Sequence, residues 1–178
     1  LEFRRFLFRS CAAAFRDPQQ LCIDFLLNPD EVKRLIDISS RDFQKIFDHF
    51  DTILKQHKQP SVTWMGIPSF GKMHIPSCDF GAMISPEQFN EFILPVIQNE
   101  VKPMTHNIFH LDGKGVANHV DRILEISEIN AIQWVQGMGN DLPIIQWVPF
   151  IKKIQAAGKS VVVDLQVSEL ESFMKEVD

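Results

Sequence analysis

The feature that most restricts this chain is an alternation. From Ser61 onward, short apolar runs exchange with segments of helical periodicity, four times over. "SVTWMG" precedes "SPEQFNEFILPVIQNEV", and "NIFHLD" precedes "GVANHVDRILEI". "AIQWVQ" then leads to "IIQWVPFIKKIQAAG", and "SVVVDLQ" to "SELESFMKEV". Runs rich in Val and Ile suit strands covered on both faces. Strands separated by helices imply a parallel α/β sheet with right-handed crossovers. Four βα units over 61–178 make either a small open sheet or half of a (β/α)8 barrel, which typically takes about 250 residues.

A helical lead-in over 1–58 precedes the alternation. In "NPDEVKRLIDISSRDFQKIFDHFDTILKQH", Asn28 suits an N-cap, Pro29 the first helical position, and Glu31 the closing position of a capping box. Val32, Leu35, Ile36, Phe43, Ile46, Phe47, Phe50 and Leu54 recur at helical spacing, which predicts one long amphipathic helix over 29–57. Shorter helices are expected over 2–15 and 18–27. Ser85, Pro86 and Gln88 open another helix with the same capping logic, and Pro95 removes a backbone donor and kinks it. Gly158 is placed to end the helix after "AIQWVQ". The whole of 1–178 reads as a single domain.

Composition removes several classes of function. The net charge is −5 with both signs interspersed, so no basic stripe offers a nucleic-acid surface. Mean hydropathy is −0.05 and no apolar run approaches a bilayer span, so no membrane segment is expected. Arginines interrupt the N-terminal "LEFRRFLFRSCAAAF", which rules against a signal peptide. Cys11, Cys22 and Cys78 are too sparse for a disulfide framework and read as reduced thiols of a cytoplasmic protein. With 15 Phe and no Tyr the aromatic composition is skewed, and no functional role is assigned to any single Phe.

Ligands of parallel α/β folds bind at the carboxyl ends of strands. Those ends are Met65-Gly66-Ile67-Pro68, His110-Leu111-Asp112-Gly113, Gln133-Trp134 with Gln136-Gly137, and Asp164-Leu165-Gln166. His110 and Asp112 stand at i and i+2 of one strand, so both side chains point to one face. That makes them candidate catalytic groups, and candidate metal ligands if more donors join them. Asp79 lies in an irregular stretch, 67–84, of the length that often carries function, whereas Cys78 beside it reads as a buried structural thiol. Gln133 and Trp134 must face opposite ways. Both are candidates for substrate contact, with Trp134 also readable as core filler. "GMGND" lacks a dinucleotide fingerprint, but Gly137 lies where a phosphate or carboxylate can approach the next helix start. Asp164 completes the candidate substrate contacts.

Several of these segments resemble the uroporphyrinogen decarboxylase superfamily. "SCDFGAMISPEQFNEFILPVI" is similar to the segment in which an aspartate precedes the "SPE.F.EF.LP" helix. "HLDG" falls where the cobamide-dependent methyltransferases of that superfamily carry His-x-Cys-Gly. "IQWVQGMG" and "IKKIQAAGKSVVVDL" match the next two units, so the resemblance covers roughly residues 28–178. It implies a (β/α)8 TIM-type barrel, present here as a partial barrel corresponding to the later part of the family's longer chain. It implies a catalytic role for Asp79 and metal ligation, with zinc, by His110. Asp112 stands in place of the motif's cysteine, and a further cysteine ligand belongs to a region beyond this sequence. The arginine-rich substrate segment of the decarboxylases has no counterpart, so a methyltransferase-like member is expected rather than a lyase acting on uroporphyrinogen. The resemblance further implies a small-molecule substrate, a corrinoid protein as partner, and allows a homodimer.

Three functions remain distinct. The first is this methyltransferase-like enzyme, with Asp79, His110 and Asp112 around a metal. The second is metal-free acid–base chemistry on a small polar or glycosidic substrate, His110 carrying the proton and Asp112 orienting it. The third is a non-catalytic, barrel-derived binding domain, motivated by the Cys-to-Asp departure in "HLDG".

Overall fold

A computed structural model of the chain describes residues 8–177, without the side chains of 8–11 and 140. The N-terminal third is helical: α1 (Phe8–Arg16), α2 (Pro18–Leu27), α3 (Pro29–Ser40) and α4 (Phe43–Gln56). Asp17 caps α2 by accepting from the backbone N–H groups of Gln19 and Gln20. Pro29 opens α3 as expected, although the side chain of its N-cap Asn28 donates to Asp24 instead of capping. The beginning of the helix expected over 2–15 lies outside the described residues.

The predicted helix over 29–57 is two helices, parted at Arg41–Asp42. No Gly or Pro marks the break. The hydroxyls of Ser39 and Ser40 donate back to the carbonyls of Leu35 and Ile36, at 2.7 and 2.9 Å. Such back-bonding weakens and bends a helix. Val32 and Ile36 are buried, whereas Ile46, expected on the same buried face, is exposed.

Six strands follow. β1 (Ser61–Val62) and β2 (Pro68–Ser69) form a small antiparallel hairpin of their own. β3 (Met73–His74), β4 (His106–Asp112), β5 (Ala131–Val135) and β6 (Ser160–Val163) form one sheet in the order β3-β4-β5-β6, every pair parallel. The fold is therefore mixed α/β with a four-stranded parallel sheet. The number of parallel strands matches the alternation read from the sequence, but the first is not "SVTWMG". That segment turns back on itself. The sheet begins instead within the stretch 67–84, at a strand of two residues.

Helices fill the connections. α5 (Pro86–Gln88) opens with the expected capping box, Ser85 Oγ accepting from Gln88 N and Gln88 Oε1 accepting from Ser85 N. A π-helical stretch, Phe89–Ile93, joins it to α6 (Leu94–Val101). The widened turn precedes Pro95, whose ring would otherwise press on the carbonyl four residues back. α7 (Gly113–Ala117) and α8 (Val120–Leu124) follow β4, α9 (Val148–Ala156) follows β5, and α10 (Leu170–Val177) follows β6.

One continuous apolar core lies between the sheet and these helices. Phe109 and Leu111 of β4 and Ile132 and Trp134 of β5 point into it, against Phe89, Ile97, Ile123, Ile151 and Ile154 from the helices. Fully burying each such side chain stabilises the fold by about 1.5–3 kcal/mol. This layer fixes the register, and the alternate residues of β4 and β5 are thereby turned to the opposite face. No helix among the described residues is long and apolar enough to cross a membrane.

Candidate functional site

The alternate residues carry the polar groups. In β4 these include His110 and Asp112; the register partner of His110 in β5 is Gln133. Upstream, Ser77 bridges to His110 in parallel, and the backbone N–H of His110 donates to the Pro76 carbonyl at 2.9 Å. This lengthens the sheet edge beyond β3 and delivers Asp79 beside the end of β4. One donor atom from each of Asp79, His110 and Asp112 lies within 4.8 Å of the other two. The three residues singled out as catalytic candidates therefore meet in space. Asp79 and Asp112 are exposed and His110 is half-buried, so the cluster faces solvent with the imidazole as its floor.

The turn carrying Asp79 is a single 3-10 stretch, Asp79–Met83, and it is held from several sides. Ser77 Oγ donates to Asp79 Oδ1 at 3.4 Å, and Gly81 N donates to the Cys78 carbonyl at 2.8 Å. Buried His119 accounts for the Gly81 carbonyl: its Nε2 donates to that oxygen at 2.8 Å while its ring stacks on Phe89 at 4.1 Å. Because a carbonyl only accepts, this bond fixes His119 with its proton on Nε2. On the other flank, Ala82 presses against Gly115 of α7. A Cβ built on Gly115 would stand 2.5 Å from that of Ala82. The two glycines of "HLDGKG" thus serve different ends. Gly113 supplies a φ of +74° that turns the chain directly after Asp112, and Gly115 supplies room.

His110 is oriented from below. Its Nδ1 is 2.8 Å from Gln133 Oε1. The same oxygen accepts from Trp64 Nε1 at 3.1 Å, and the indole meets the imidazole edge to face, with ring centres 5.4 Å apart. An indole N–H can only donate, so the Gln133 atom facing Trp64 is the oxygen. That oxygen has a second lone pair for His110, and Nδ1 must carry the proton. In the neutral ring Nε2 then keeps its lone pair. Gln133 is 6% exposed, so the amide is shielded from solvent and its partners decide its orientation. The expected orienter of His110 was Asp112; Gln133 occupies that position instead.

The remaining candidates are placed as follows. Trp134 is buried on the opposite face, packed on Trp147 and Phe150 at ring separations of 4.9 and 4.7 Å. It is core filler and not a substrate contact, because strand alternation turns it away when Gln133 turns in. Gln133 lies beneath His110, which makes it a support for the imidazole more than a surface for substrate. Gly137, with φ +105°, follows β5 near Asp141, whose carboxylate pairs with Lys114 at 2.5 Å. Asp164 is exposed just past β6, and its carbonyl accepts from the side chain of Gln136 at 3.1 Å. Neither belongs to the trio. Cys78 is buried and, like Cys22, is a thiol; the Cys11 side chain lies outside the described residues.

The sequence does not single out Trp64, because "SVTWMG" has the apolar character of a buried strand. The spacing Thr63-Trp64-Met65-Gly66-Ile67 was the available signal, since Gly66 at φ +76° closes a tight turn. Beyond the trio, an open cleft of about 680 Å3 lies between the α1–α2 connection and the Asp79 turn, lined by Phe15, Arg16, Pro18, Asp79, Phe80 and Met83. Asp79 lines this cleft and also belongs to the trio, whereas His110 and Asp112 do not line it.

No protein-family model, curated protein or solved structure matches this chain.

Proposed function

We propose that this chain is an enzyme domain of the uroporphyrinogen decarboxylase superfamily, methyltransferase-like, forming part of a (β/α)8 barrel and working with a divalent metal such as zinc. The observation that carries the metal reading is the convergence of Asp79, His110 and Asp112 within 4.8 Å at the carboxyl end of a parallel strand. The donor set suits such an ion. Three protein ligands with the remaining positions open is the pattern of catalytic zinc, and a ligating histidine commonly donates its other N–H to an oxygen, as His110 does to Gln133. The sequential strand order and the position of the trio support the barrel, and the "CDF…SPEQF…LP" and "HLDG" segments support the superfamily.

His110 Nε2 and one oxygen each from Asp79 and Asp112 would hold the metal. Bound there, a divalent ion supplies Lewis acidity that lowers the pKa of a coordinated hydroxyl, thiol or water. Gln133 holds the imidazole in one orientation and adds no charge, which suits a neutral ligand better than a proton carrier. The two carboxylates position the acceptor and offer an oxygen for its proton. With two carboxylates and no thiolate, the donor set is harder than that of a thiolate-rich site, which favours an oxygen acceptor over a thiol. A small-molecule acceptor and a corrinoid protein as methyl source complete the proposal.

Metal analysis of protein purified without chelator, followed by zinc titration, tests it. One equivalent is expected, with affinity reduced at least about tenfold in each of His110→Ala, Asp79→Asn and Asp112→Asn. A substoichiometric metal content with weak titration that none of the three substitutions alters would remove the metal and leave acid–base chemistry at His110.

A further inference from the structure

We infer that Trp64 is a positioning residue: through Gln133 it dictates which nitrogen of His110 carries the proton, and so keeps Nε2 available as donor at the site. The inference deepens the metal reading above and rests on it for its functional meaning, but its physical content concerns this chain's own hydrogen bonds.

A primary amide beside a histidine is a poor orienter when left to itself. It offers an oxygen or, after a half-turn about its last torsion, an NH2 group of nearly the same shape. Facing the oxygen, His110 holds its proton on Nδ1. Facing the NH2, it must accept at Nδ1 and carry the proton on Nε2, which removes the lone pair the site requires. The Gln133–His110 pair alone does not choose between these states, because both satisfy the contact. Trp64 chooses. Its N–H lies 3.1 Å from Gln133 Oε1 and cannot accept, so the flipped amide would set donor against donor at a group only 6% exposed. The flip would cost the indole N–H its acceptor and crowd two donors together, so the orientation with Oε1 toward Trp64 is the favoured one.

The position of Trp64 is itself fixed. It occupies the tip of the β1–β2 hairpin, where Gly66 N donates to the Thr63 carbonyl at 3.0 Å and Ile67 N to Thr63 Oγ1 at 3.0 Å. The hairpin pairs with itself and not with the parallel sheet, and its tip meets the site through the indole.

The experiment is a long-range 15N–1H correlation spectrum of the histidine rings, recorded on the metal-free chain at a pH where imidazoles are neutral. His119 is the internal control, since its bond to Gly81 holds it as the Nε2–H form whenever the fold is intact. In the wild type His110 is expected as the Nδ1–H form alone. In Trp64→Phe, which keeps a ring but loses the N–H, both forms of His110 are expected while His119 is unchanged. Zinc affinity should fall in proportion to the share of His110 that leaves the Nδ1–H form, about twofold where the two forms are equal. A wild-type His110 in the Nε2–H form overturns the inference without recourse to any variant. So does a Trp64→Phe chain whose His110 stays wholly Nδ1–H. If the tautomer shifts but zinc affinity is the same in both proteins, Trp64 keeps its role and the metal reading fails.

Discussion

Gly115→Ala is the substitution whose consequence the geometry defines most sharply. The new methyl group would lie 2.5 Å from Ala82 Cβ and 3.0 Å from Ala82 Cα, where carbon atoms prefer about 3.5–4.0 Å. Neither obstacle can rotate away, so the Asp79–Met83 turn must retreat from α7 by about 1 Å. Alanine is the better helix former by about 1 kcal/mol, which alone would stabilise α7. Forcing a methyl into a filled contact costs about 1–3 kcal/mol, and the backbone contact puts this case in the upper part of that range. The expected net result is destabilisation of about 1–2 kcal/mol in urea unfolding at unchanged m-value. The effect on the site should be larger than on the fold. Asp79 travels with the turn while His110 and Asp112 stay on β4, and metal–ligand distances tolerate only about 0.2 Å. Adding Ala82→Gly removes the nearer obstacle, so the double variant should recover zinc affinity and show a favourable coupling of about 1 kcal/mol in the cycle. A singly substituted Gly115→Ala that is more stable than wild type, with additive behaviour in the double variant, would mean that the turn and α7 are not in the contact described.

Two further outcomes follow from residues outside the trio. Trp134→Ala should cost about 3–5 kcal/mol in chemical unfolding, as expected for a large aromatic removed from a filled core; Trp134→Phe should cost much less, because the buried Nε1 of Trp134 has no partner to lose. Zinc affinity unchanged in Trp134→Phe would match its place on the core face, and a large loss would move it into the site. Asp24 governs an acid limb: hydrogen bonding from Arg16, then from Asn28 and Gln20, holds its carboxyl down to about 2 from an ordinary 3.8. A lowered folded-state value means that this stabilisation is fully present above 3.8 and lost as pH falls through about 2. Thermal melting followed downward through that window should fall less steeply for Asp24→Asn than for wild type, and an identical slope in both proteins would count against the cluster.

The trio was legible in the sequence to different degrees and for different reasons. His110 and Asp112 could be paired because a strand's period of two is strict, so two polar residues at that spacing share a face whatever the fold. Asp79 is marked by the length of the irregular stretch 67–84 and by the resemblance of its neighbours, since no periodicity runs through that stretch. Periodicity could not reveal β3, because a strand of two residues is too short to show a period. For the same reason "SVTWMG" passed for a sheet strand when it is half of a hairpin. The break between α3 and α4 was hidden because two serines, not a Gly or Pro, make it. Strand alternation sets Gln133 opposite Trp134 as a candidate for substrate contact, but its bond to Trp64 joins residues 69 apart in sequence, and spacing arguments do not reach that far.

The placement of the three tryptophans has an optical consequence. Trp134 in the core touches the partly buried Trp147, whereas Trp64 stands apart at the hairpin tip, 39% exposed, and the chain has no tyrosine. Ultraviolet emission therefore divides into a blue component from the sheltered pair and a redder one from a lone indole lying against an imidazole. The red component is a built-in gauge of whether the hairpin rests on the sheet, and it can be read without attaching a dye.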